Sequence, residues 1–147
     1  MIVRGLDKQQ MMSVLASNKL GRLACVKDGQ PYVVPITFSF SESCLYSFSM
    51  PGQKIDWMRL NPKVCLQVDE FSSSRDWKSV VIDGFYEELP DRIGYKHHRE
   101  HAWSLLSKHA SWWEPGSLKP IASELATPHL FYRIVIENMT GRQAIDG

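Results

Sequence analysis

The segment from Leu20 to Phe40 constrains the fold more strongly than any other part of this chain. Its hydrophobic pattern takes a period of two over Leu20–Lys27 and again over Pro31–Phe40, and Asp28-Gly29 lies between these stretches. A period of two is typical of a β-strand with one buried face, and Asp-Gly is a favoured pair in tight hairpin turns. The segment therefore predicts an antiparallel β-hairpin.

The remaining elements are predicted by the same periodicity and by capping signals. Further strands are expected at Cys44–Ser49, Lys63–Asp69, Trp77–Leu89 and His129–Glu137. Helices are expected after a capping box of Asp7 and Gln10, over Ile55–Leu60, and over Arg92–Ala110 behind a capping Asp91. With no internal repeat, we expect one mainly β domain over residues 1–147, a small barrel with flanking helices.

Three glycines are assigned local roles from their context. We expect Gly21 to end the first helix and Gly84 to mark a bulge or a close backbone approach inside a strand. Gly141 and Arg142 follow the last predicted strand, so we expect them in a short tail.

Composition and charge argue against several classes of function. The net charge is +1 with histidine neutral, which gives no electrostatic basis for binding nucleic acid or a membrane surface. No apolar run approaches the length of a membrane span, and the first residues lack the apolar core of a signal peptide. The three cysteines have no CxxC spacing, so we expect buried, reduced thiols in a cytoplasmic protein.

The ten residues Ser47–Asp56 carry the strongest indication of a ligand. They predict the end of a strand, a tight Pro51-Gly52 turn, a polar Gln53-Lys54 pair and the start of the helix Ile55–Leu60. Glycine lets main-chain N–H groups approach a ligand closely, and the N-terminus of a helix attracts anions. Lys54 adds a positive charge at the same end. This combination predicts a phosphate site.

The histidine-rich segment 97–101 matches H-x-x-E-H, in which two histidines on one helix face bind zinc. A third ligand in a suitable context is lacking, and His98 and Arg99 are typical of a solvated helix face. We therefore predict no metal site. The sequence also lacks a G-x-S-x-G elbow, a Walker A loop and a G-x-G-x-x-G fingerprint, so serine-hydrolase, P-loop and Rossmann functions lose their usual basis.

The motifs between residues 7 and 89, in their order and spacing, resemble those of a known family. They are Gly21-Arg-Leu-Ala24, Pro31-Tyr-Val-Val-Pro-Ile-Thr37, Leu45-Tyr46, Gly52-Gln-Lys54, Asn61-Pro62, Val64-Cys65, Trp77-Lys-Ser-Val-Val81 and Gly84. They resemble the pyridoxamine 5′-phosphate oxidase-related FMN-binding split β-barrels, in the branch that includes nitroimidazole-resistance proteins. The Trp-Trp-Glu-Pro-Gly sequence at 112–116 and the ending Tyr132–Arg142 are also similar to that branch.

The resemblance implies a six-stranded antiparallel split β-barrel that forms a homodimer, with FMN bound between the protomers. The implied phosphate ligands are Gly52, Gln53 and Lys54 in the turn, together with Ser79, Ser47 and Ser49. The flavin ring is expected to contact the main chain and side chains of Val34, Pro35, Ile36 and Thr37. Trp112, Trp113 or Arg142 would close the site from the second protomer.

The implied function is that of an FMN-dependent oxidoreductase acting on a small substrate, and no side chain is predicted as a general acid or base. Gln53 stands where the vitamin B6 oxidases have an arginine, and the C-terminus lacks their arginine-rich segment, which argues against pyridoxamine phosphate oxidation. Ser47 replaces a histidine found in some nitroimidazole-resistance relatives. Two alternatives stay open. One is a non-catalytic flavin-binding or sensing module, and the other is a haem-binding split barrel with an axial ligand from His97–His101 or His129.

Overall fold

The computed structural model describes residues 1–108 and 130–146, which form seven strands and three α-helices. The strands are β1 (Ile2–Gly5), β2 (Leu20–Lys27), β3 (Gln30–Ser41), β4 (Cys44–Ser49), β5 (Lys63–Ser73), β6 (Asp76–Leu89) and β7 (Leu130–Ile145). The helices are α1 (Lys8–Ser17), α2 (Gln53–Leu60) and α3 (Lys96–Leu106), and a 3₁₀ turn at Ile93–Tyr95 precedes α3. None of these helices is long and apolar enough to cross a membrane.

Six of the strands close into a ring in which every neighbouring pair is antiparallel. β7 pairs with β4 and with β6, and β3, β2 and β5 complete the ring between them. β1, which the sequence did not predict, lies outside the ring and pairs with the last residues of β7. The predicted six-stranded antiparallel barrel with flanking helices is therefore confirmed.

The hairpin and the first helix form as the sequence predicts. Asp28 and Gly29 have φ angles of 51° and 77°, the positive values that a primed two-residue hairpin turn requires. The Asp7 side chain accepts a hydrogen bond from the Gln10 amide, and the Gln10 side chain accepts one from the Asp7 amide. This is the predicted capping box, and it explains why α1 begins at Lys8.

Two glycine predictions are wrong, one because the first helix ends early and the other because the last strand continues further. Gly21 lies inside β2, since α1 already ends at Ser17 and Asn18 takes an extended conformation. Gly141 lies inside β7 together with Arg142, because β6 and β1 pair with this part of the strand and satisfy its main-chain groups.

The predicted cap of the third helix is also wrong. The Arg92 amide donates to the Pro90 carbonyl oxygen at 2.8 Å, so Asp91 lies within a tight turn and not at a helix start. α3 begins later, at Lys96, with Tyr95 as its N-cap and no side-chain capping bond. Residues 109 and 110 of the predicted helix lie outside the described residues, as does His129 of the predicted last strand.

Two apolar clusters cover the two faces of the sheet. The larger one fills the barrel, where α1 and α2 contribute Val14, Leu15, Ile55 and Met58 to strand residues such as Phe38, Leu66 and Ile82. The smaller one lies under α3, where Ala102 and Leu106 pack on Tyr46, Leu89 and Phe131. α2 is therefore fixed against the barrel, and its N-terminus has a defined position.

The seam between β6 and β7 is tightest at Gly84. The register shifts between Asp83 and Gly84, which is the predicted irregularity. A Cβ atom at Gly84 would overlap the Val135 carbonyl oxygen and would lie 2.8 Å from the Cγ2 atom of Ile134. The predicted close backbone approach is therefore confirmed.

Candidate functional site

The N-terminus of α2 presents main-chain donors that have no acceptor among the described residues. The first helical hydrogen bond runs from the Asp56 amide to the Gly52 carbonyl oxygen at 3.1 Å, so the amides of residues 53–55 precede the helical ladder. Gly52 is the N-cap residue, and the helix has no side-chain capping bond. Free N–H groups at the positive end of a fixed helix are suited to binding an anion.

Lys54, in the first turn of α2, is partly buried. Burial lowers the pKa of its ammonium group, because the protein replaces part of the water that solvates the charge. Within residues 1–108 and 130–146 the ammonium group makes no ion pair or hydrogen bond. A partly desolvated cation without a partner is unfavourable, and an anionic ligand would supply that partner.

Gly52 leaves the approach to these donors open. Its φ of 175° and ψ of −172° describe an extended backbone that any residue adopts, so the turn does not use the wider range of angles open to glycine. A Cβ atom built at Gly52 would meet none of the described atoms within 4 Å. The absence of a side chain therefore matters for the space beside the amides and not for the conformation of the turn.

The three serines predicted to bind phosphate differ in where their hydroxyl protons are directed. Ser47 is 1% exposed and donates to the Thr37 carbonyl oxygen at 2.6 Å. Ser49 is 8% exposed and donates to the Met50 carbonyl oxygen at 2.7 Å. The Oγ atom of Ser79 instead accepts a hydrogen bond from Nε2 of Gln67 at 3.0 Å. Ser79 keeps its proton for another acceptor, whereas the other two serines use theirs within the fold.

Ser79 ends a polar network on the outer face of the sheet. Its neighbour Val80 is fully buried, so strand alternation directs Ser79 outward. Nε2 of Gln67 also donates to Oδ2 of Asp69 at 3.0 Å, and Nη1 of Arg22 lies 3.5 Å from Oδ1 of Asp69. The network therefore crosses three adjacent strands, β2, β5 and β6.

β3 has an open edge beside the part of the strand that was predicted to contact a flavin ring. β2 pairs with residues 30–37, whereas β4 pairs only with residues 38–41. The Phe38 amide donates to the Lys19 carbonyl oxygen on the β2 side. Main-chain groups alternate in direction along a strand, so the N–H and C=O groups of Thr37 point away from β2. The carbonyl oxygen accepts the Ser47 hydroxyl, which leaves the N–H group at the open edge.

The four residues predicted to contact the ring lie on two faces of β3. Ile36 is 6% exposed and Val34 packs against the barrel core, whereas Pro35 and Thr37 have the alternate orientation. Pro35 is two residues before Thr37, so its main chain also faces away from β2. The pairing with β2 therefore needs no N–H group at this position. This explains why a proline is tolerated in the middle of a long strand.

The predicted phosphate ligands lie on several different elements of the chain. Lys54 lies on α2, which packs into the barrel, whereas Ser79 lies on the outer face of β6, and no hydrogen bond links these side chains in the described residues. Arg142 is the register partner of Ser79 on β7. Trp112 and Trp113 lie outside the described residues, so their roles stay predictions.

The histidine-rich helix is engaged in packing at one of its histidines. The His101 ring packs edge-on against Tyr46, with centroids 5.1 Å apart, and its Nε2 atom lies 3.2 Å from Oγ of Ser41. His97 is exposed on the same helix. No group of three or more potential metal ligands occurs among the described residues.

Comparison with known proteins decides the family. A family model described as pyridoxamine 5′-phosphate oxidase matches residues 7–143. The chain belongs to the pyridoxamine 5′-phosphate oxidase family. The family suggested by the motifs is thereby confirmed, and the match continues past residue 89 into β7.

Known proteins match nearly the whole chain. An uncharacterized protein from Rhizobium meliloti (strain 1021) is 54% identical over 149 residues, which cover 100% of this chain and 99% of the relative. The crystal structure of an FAD-binding protein from Mesorhizobium loti is 58% identical, with a TM-score of 0.83 and coverage of 98% and 99%. A structure from Bacteroides thetaiotaomicron assigned to 5-nitroimidazole antibiotic resistance is 20% identical, with a TM-score of 0.71 and coverage of 97% and 87%. At that identity it shows the shared fold alone.

The sequence assigned no role to Gln67 and Asp69, which the structure links to the predicted phosphate ligand Ser79. Both lie on β5 in alternation with the buried residues Leu66 and Val68, so the sequence assigns them to the outer face. Their contact with Ser79 depends on the register between β5 and β6, in which Asp69 lies opposite Ser79. No local sequence signal specifies that register.

Proposed function

We propose that the protein binds a flavin nucleotide with its phosphate at the N-terminus of α2 and acts as an oxidoreductase on a small substrate. Lys54 carries the proposal, because its partly buried ammonium group has no anionic partner in the described part of the chain. It also lies in the first turn of α2, where the amides of residues 53–55 precede the helical ladder. A phosphate monoester carries a charge of about −1.5 to −2 at neutral pH and favours such donors. Similarity to an FAD-binding protein that is 58% identical supports a flavin.

The open edge of β3 is suited to the flavin ring. The Thr37 amide points to that edge, and Pro35 offers an apolar surface beside it. Val34 and Ile36 support the strand from the barrel side. A bound flavin would supply the hydride chemistry, and these residues would hold and orient its ring.

FMN is the form we propose, because one cation and a set of helix amides match a single terminal phosphate. FAD is the second candidate, since the relative that is 58% identical is described as FAD-binding. Flavin released from the purified protein by denaturation and separated by chromatography identifies the form directly. Recovery of FAD alone would overturn the assignment of FMN and leave the proposed flavin site intact.

The binding test compares FMN with riboflavin, which lacks the phosphate. We expect purified protein with flavin to absorb near about 375 and 450 nm, as oxidised flavins do. We expect the apoprotein to bind FMN at least about tenfold more tightly than riboflavin. This ratio corresponds to the free energy of one hydrogen bond to a charged group. Failure to retain or bind any flavin would contradict the proposal.

We also propose a homodimer. If a phosphate at the N-terminus of α2 also binds Ser79 on the outer face of β6, we propose that a second copy supplies one of these two ligands. The outer face of the β2–β3 hairpin exposes three apolar side chains beside Arg22, with Leu20, Val26 and Val33 exposed by 49%, 38% and 60%. Apolar side chains gathered on one face are typical of an interface.

Light scattering should show a dimer, and Val33→Asp should shift it to a monomer that loses FMN. A monomeric wild type would contradict the proposal.

Catalysis is tested separately from binding. The flavin-loaded protein is mixed with NADH or NADPH under oxygen, and then with a nitroaromatic acceptor, while the flavin absorbance is followed. We expect reduction by a nicotinamide donor and reoxidation by the acceptor. Bound flavin that neither donor reduces would favour the non-catalytic sensing module.

The cysteines support the cytoplasm as the location of the protein. Cys25, Cys44 and Cys65 are all unpaired. Burial raises the pKa of each thiol, which keeps it protonated and unreactive. Unpaired thiols are typical of a reducing compartment.

A further inference from the structure

We infer that Gln67, held by Asp69 and Arg22, is a positioning residue that directs the hydroxyl proton of Ser79 to a phosphate oxygen of the bound flavin nucleotide. The inference rests on the proposed function and adds to it the residues that orient one phosphate ligand. Gln67 itself would not touch the phosphate. Its role follows from the chemistry of donors and acceptors along the network.

The orientation of the Gln67 amide is determined by Asp69. Nε2 of Gln67 lies 3.0 Å from Oδ2 of Asp69 and 3.0 Å from Oγ of Ser79. A carboxylate only accepts hydrogen bonds, and an amide NH₂ group only donates them. The nitrogen of Gln67 must therefore face Asp69, and its second proton is directed to Ser79.

Ser79 is consequently an acceptor on the side of Gln67. A hydroxyl group has a single proton, and an amide nitrogen cannot accept it. The proton of Ser79 must then lie on another side of its oxygen, and no acceptor for it is found among the described residues. Ser79 thus has an unused donor on the outer face of the sheet, where a ligand can reach it.

Strand register holds the network in place. Arg22 lies opposite Gln67 across β2 and β5, and Asp69 lies opposite Ser79 across β5 and β6. Nη1 of Arg22 lies 3.5 Å from Oδ1 of Asp69, which limits rotation of the carboxylate. A donor oriented before the ligand arrives loses less conformational entropy on binding, so its hydrogen bond contributes more to affinity.

The test measures dissociation constants for FMN and riboflavin in wild type, Ser79→Ala, Gln67→Leu and Gln67→Glu. We expect Ser79→Ala to weaken FMN binding about tenfold and to leave riboflavin unchanged, because only FMN has the phosphate. Gln67→Leu should weaken FMN binding about threefold to tenfold with the same selectivity. Gln67→Glu should have a larger effect, because a carboxylate would accept the Ser79 proton and repel the phosphate.

Two controls separate positioning from a structural role. Gln30→Leu is the matched control, since Gln30 is an exposed strand residue whose side chain bonds only the Pro31 carbonyl oxygen among the described residues. It should leave both constants unchanged. In the Ser79→Ala background, Gln67→Leu should cause no further loss of FMN affinity. Gln67→Glu keeps the shape of the side chain and serves if the leucine variant does not fold.

Three results would overturn the inference in distinguishable ways. Equal affinities for FMN and riboflavin in wild type would remove the phosphate site and the inference with it. A wild-type preference for FMN that both Gln67 variants retain would overturn the positioning role and leave the proposed function standing. Equal losses for FMN and riboflavin in the Gln67 variants would show a structural role alone.

Discussion

The β6–β7 seam around Gly84 and the turn before α2 around Gly52 each contain a glycine that the sequence marks as special. At Gly84 a Cβ atom would overlap the Val135 carbonyl oxygen, so the close pairing of β6 and β7 depends on its absence. At Gly52 the backbone is extended and a Cβ atom would meet none of the described atoms within 4 Å. The first glycine is required by the fold, whereas the second leaves space that the fold does not use.

The two cationic ends of α2 differ in the same way. Arg59 donates to the Glu88 carboxylate at 2.8 Å and 3.2 Å, and the Tyr86 hydroxyl donates to the same carboxylate at 2.6 Å. Lys54 makes no ion pair or hydrogen bond within residues 1–108 and 130–146. The Arg59 charge has its partner within the fold, whereas the partly buried Lys54 charge has none among the described residues and is available to a ligand.

The largest effect is expected from Gly84→Ala. The added methyl group must displace main-chain atoms of β7, so we expect the free energy of unfolding to fall by about 3 kcal/mol. Urea unfolding followed by circular dichroism measures the loss. Gly94→Ala is the matched control, because its Cβ atom would meet no described atom within 4 Å. Similar stabilities for the two variants would show that the seam relaxes at little cost.

Lys54→Ala should lower the affinity for FMN without lowering the stability of the fold. We expect FMN affinity to fall about tenfold to a hundredfold, because a charged hydrogen bond to the phosphate is lost. The free energy of unfolding should stay equal or rise, since the fold no longer buries an unpaired charge. Fluorescence titration and urea unfolding measure the two quantities. An equal loss of riboflavin affinity would show that Lys54 does not act through the phosphate.

Glu88→Gln should reduce stability by about 1 kcal/mol at neutral pH, a small value because Arg59 is half exposed to solvent. The hydrogen bond from Arg59 lowers the pKa of the Glu88 carboxyl in the folded protein. Its contribution is therefore complete above the pKa of the unfolded chain and is lost as the pH falls through the lower folded value.

Unfolding of wild type and Glu88→Gln over a range of pH checks this sign. The difference in the free energy of unfolding should be constant above about pH 5 and should vanish in more acidic solution. The FMN-to-riboflavin affinity ratio should not change, since Glu88 pairs at the other end of α2. A difference that grows on acidification would contradict the assignment.

Gly52→Ala should have the smallest effect. Stability should change by less than about 0.5 kcal/mol, because the extended backbone accommodates alanine. FMN affinity should fall by about threefold, since the methyl group enters the space beside the helix amides. This loss is smaller than the removal of one hydrogen bond to the phosphate would cause. A large loss of stability would show that the turn requires glycine after all.

Local signals predicted the parts of the fold that depend on neighbouring residues. The Asp28-Gly29 turn, the capping box at Asp7 and the strand Cys44–Ser49 all form as predicted, because turn geometry, capping and alternation act over a few residues. The predictions for Gly21, Asp91 and Gly141 failed where pairing with distant strands or a tight turn replaced the local preference.

For the candidate site, the sequence by itself determined the family motifs, the cation at Lys54 and its place at the start of a helix, since these follow from residue type and order. The tertiary structure decided which candidates are free to act. It buried Ser47 and Ser49 with their protons already used, and it brought Gln67 to Ser79. The physical reason is that burial, and the partner that a donor finds across strands, depend on a register set by the whole barrel.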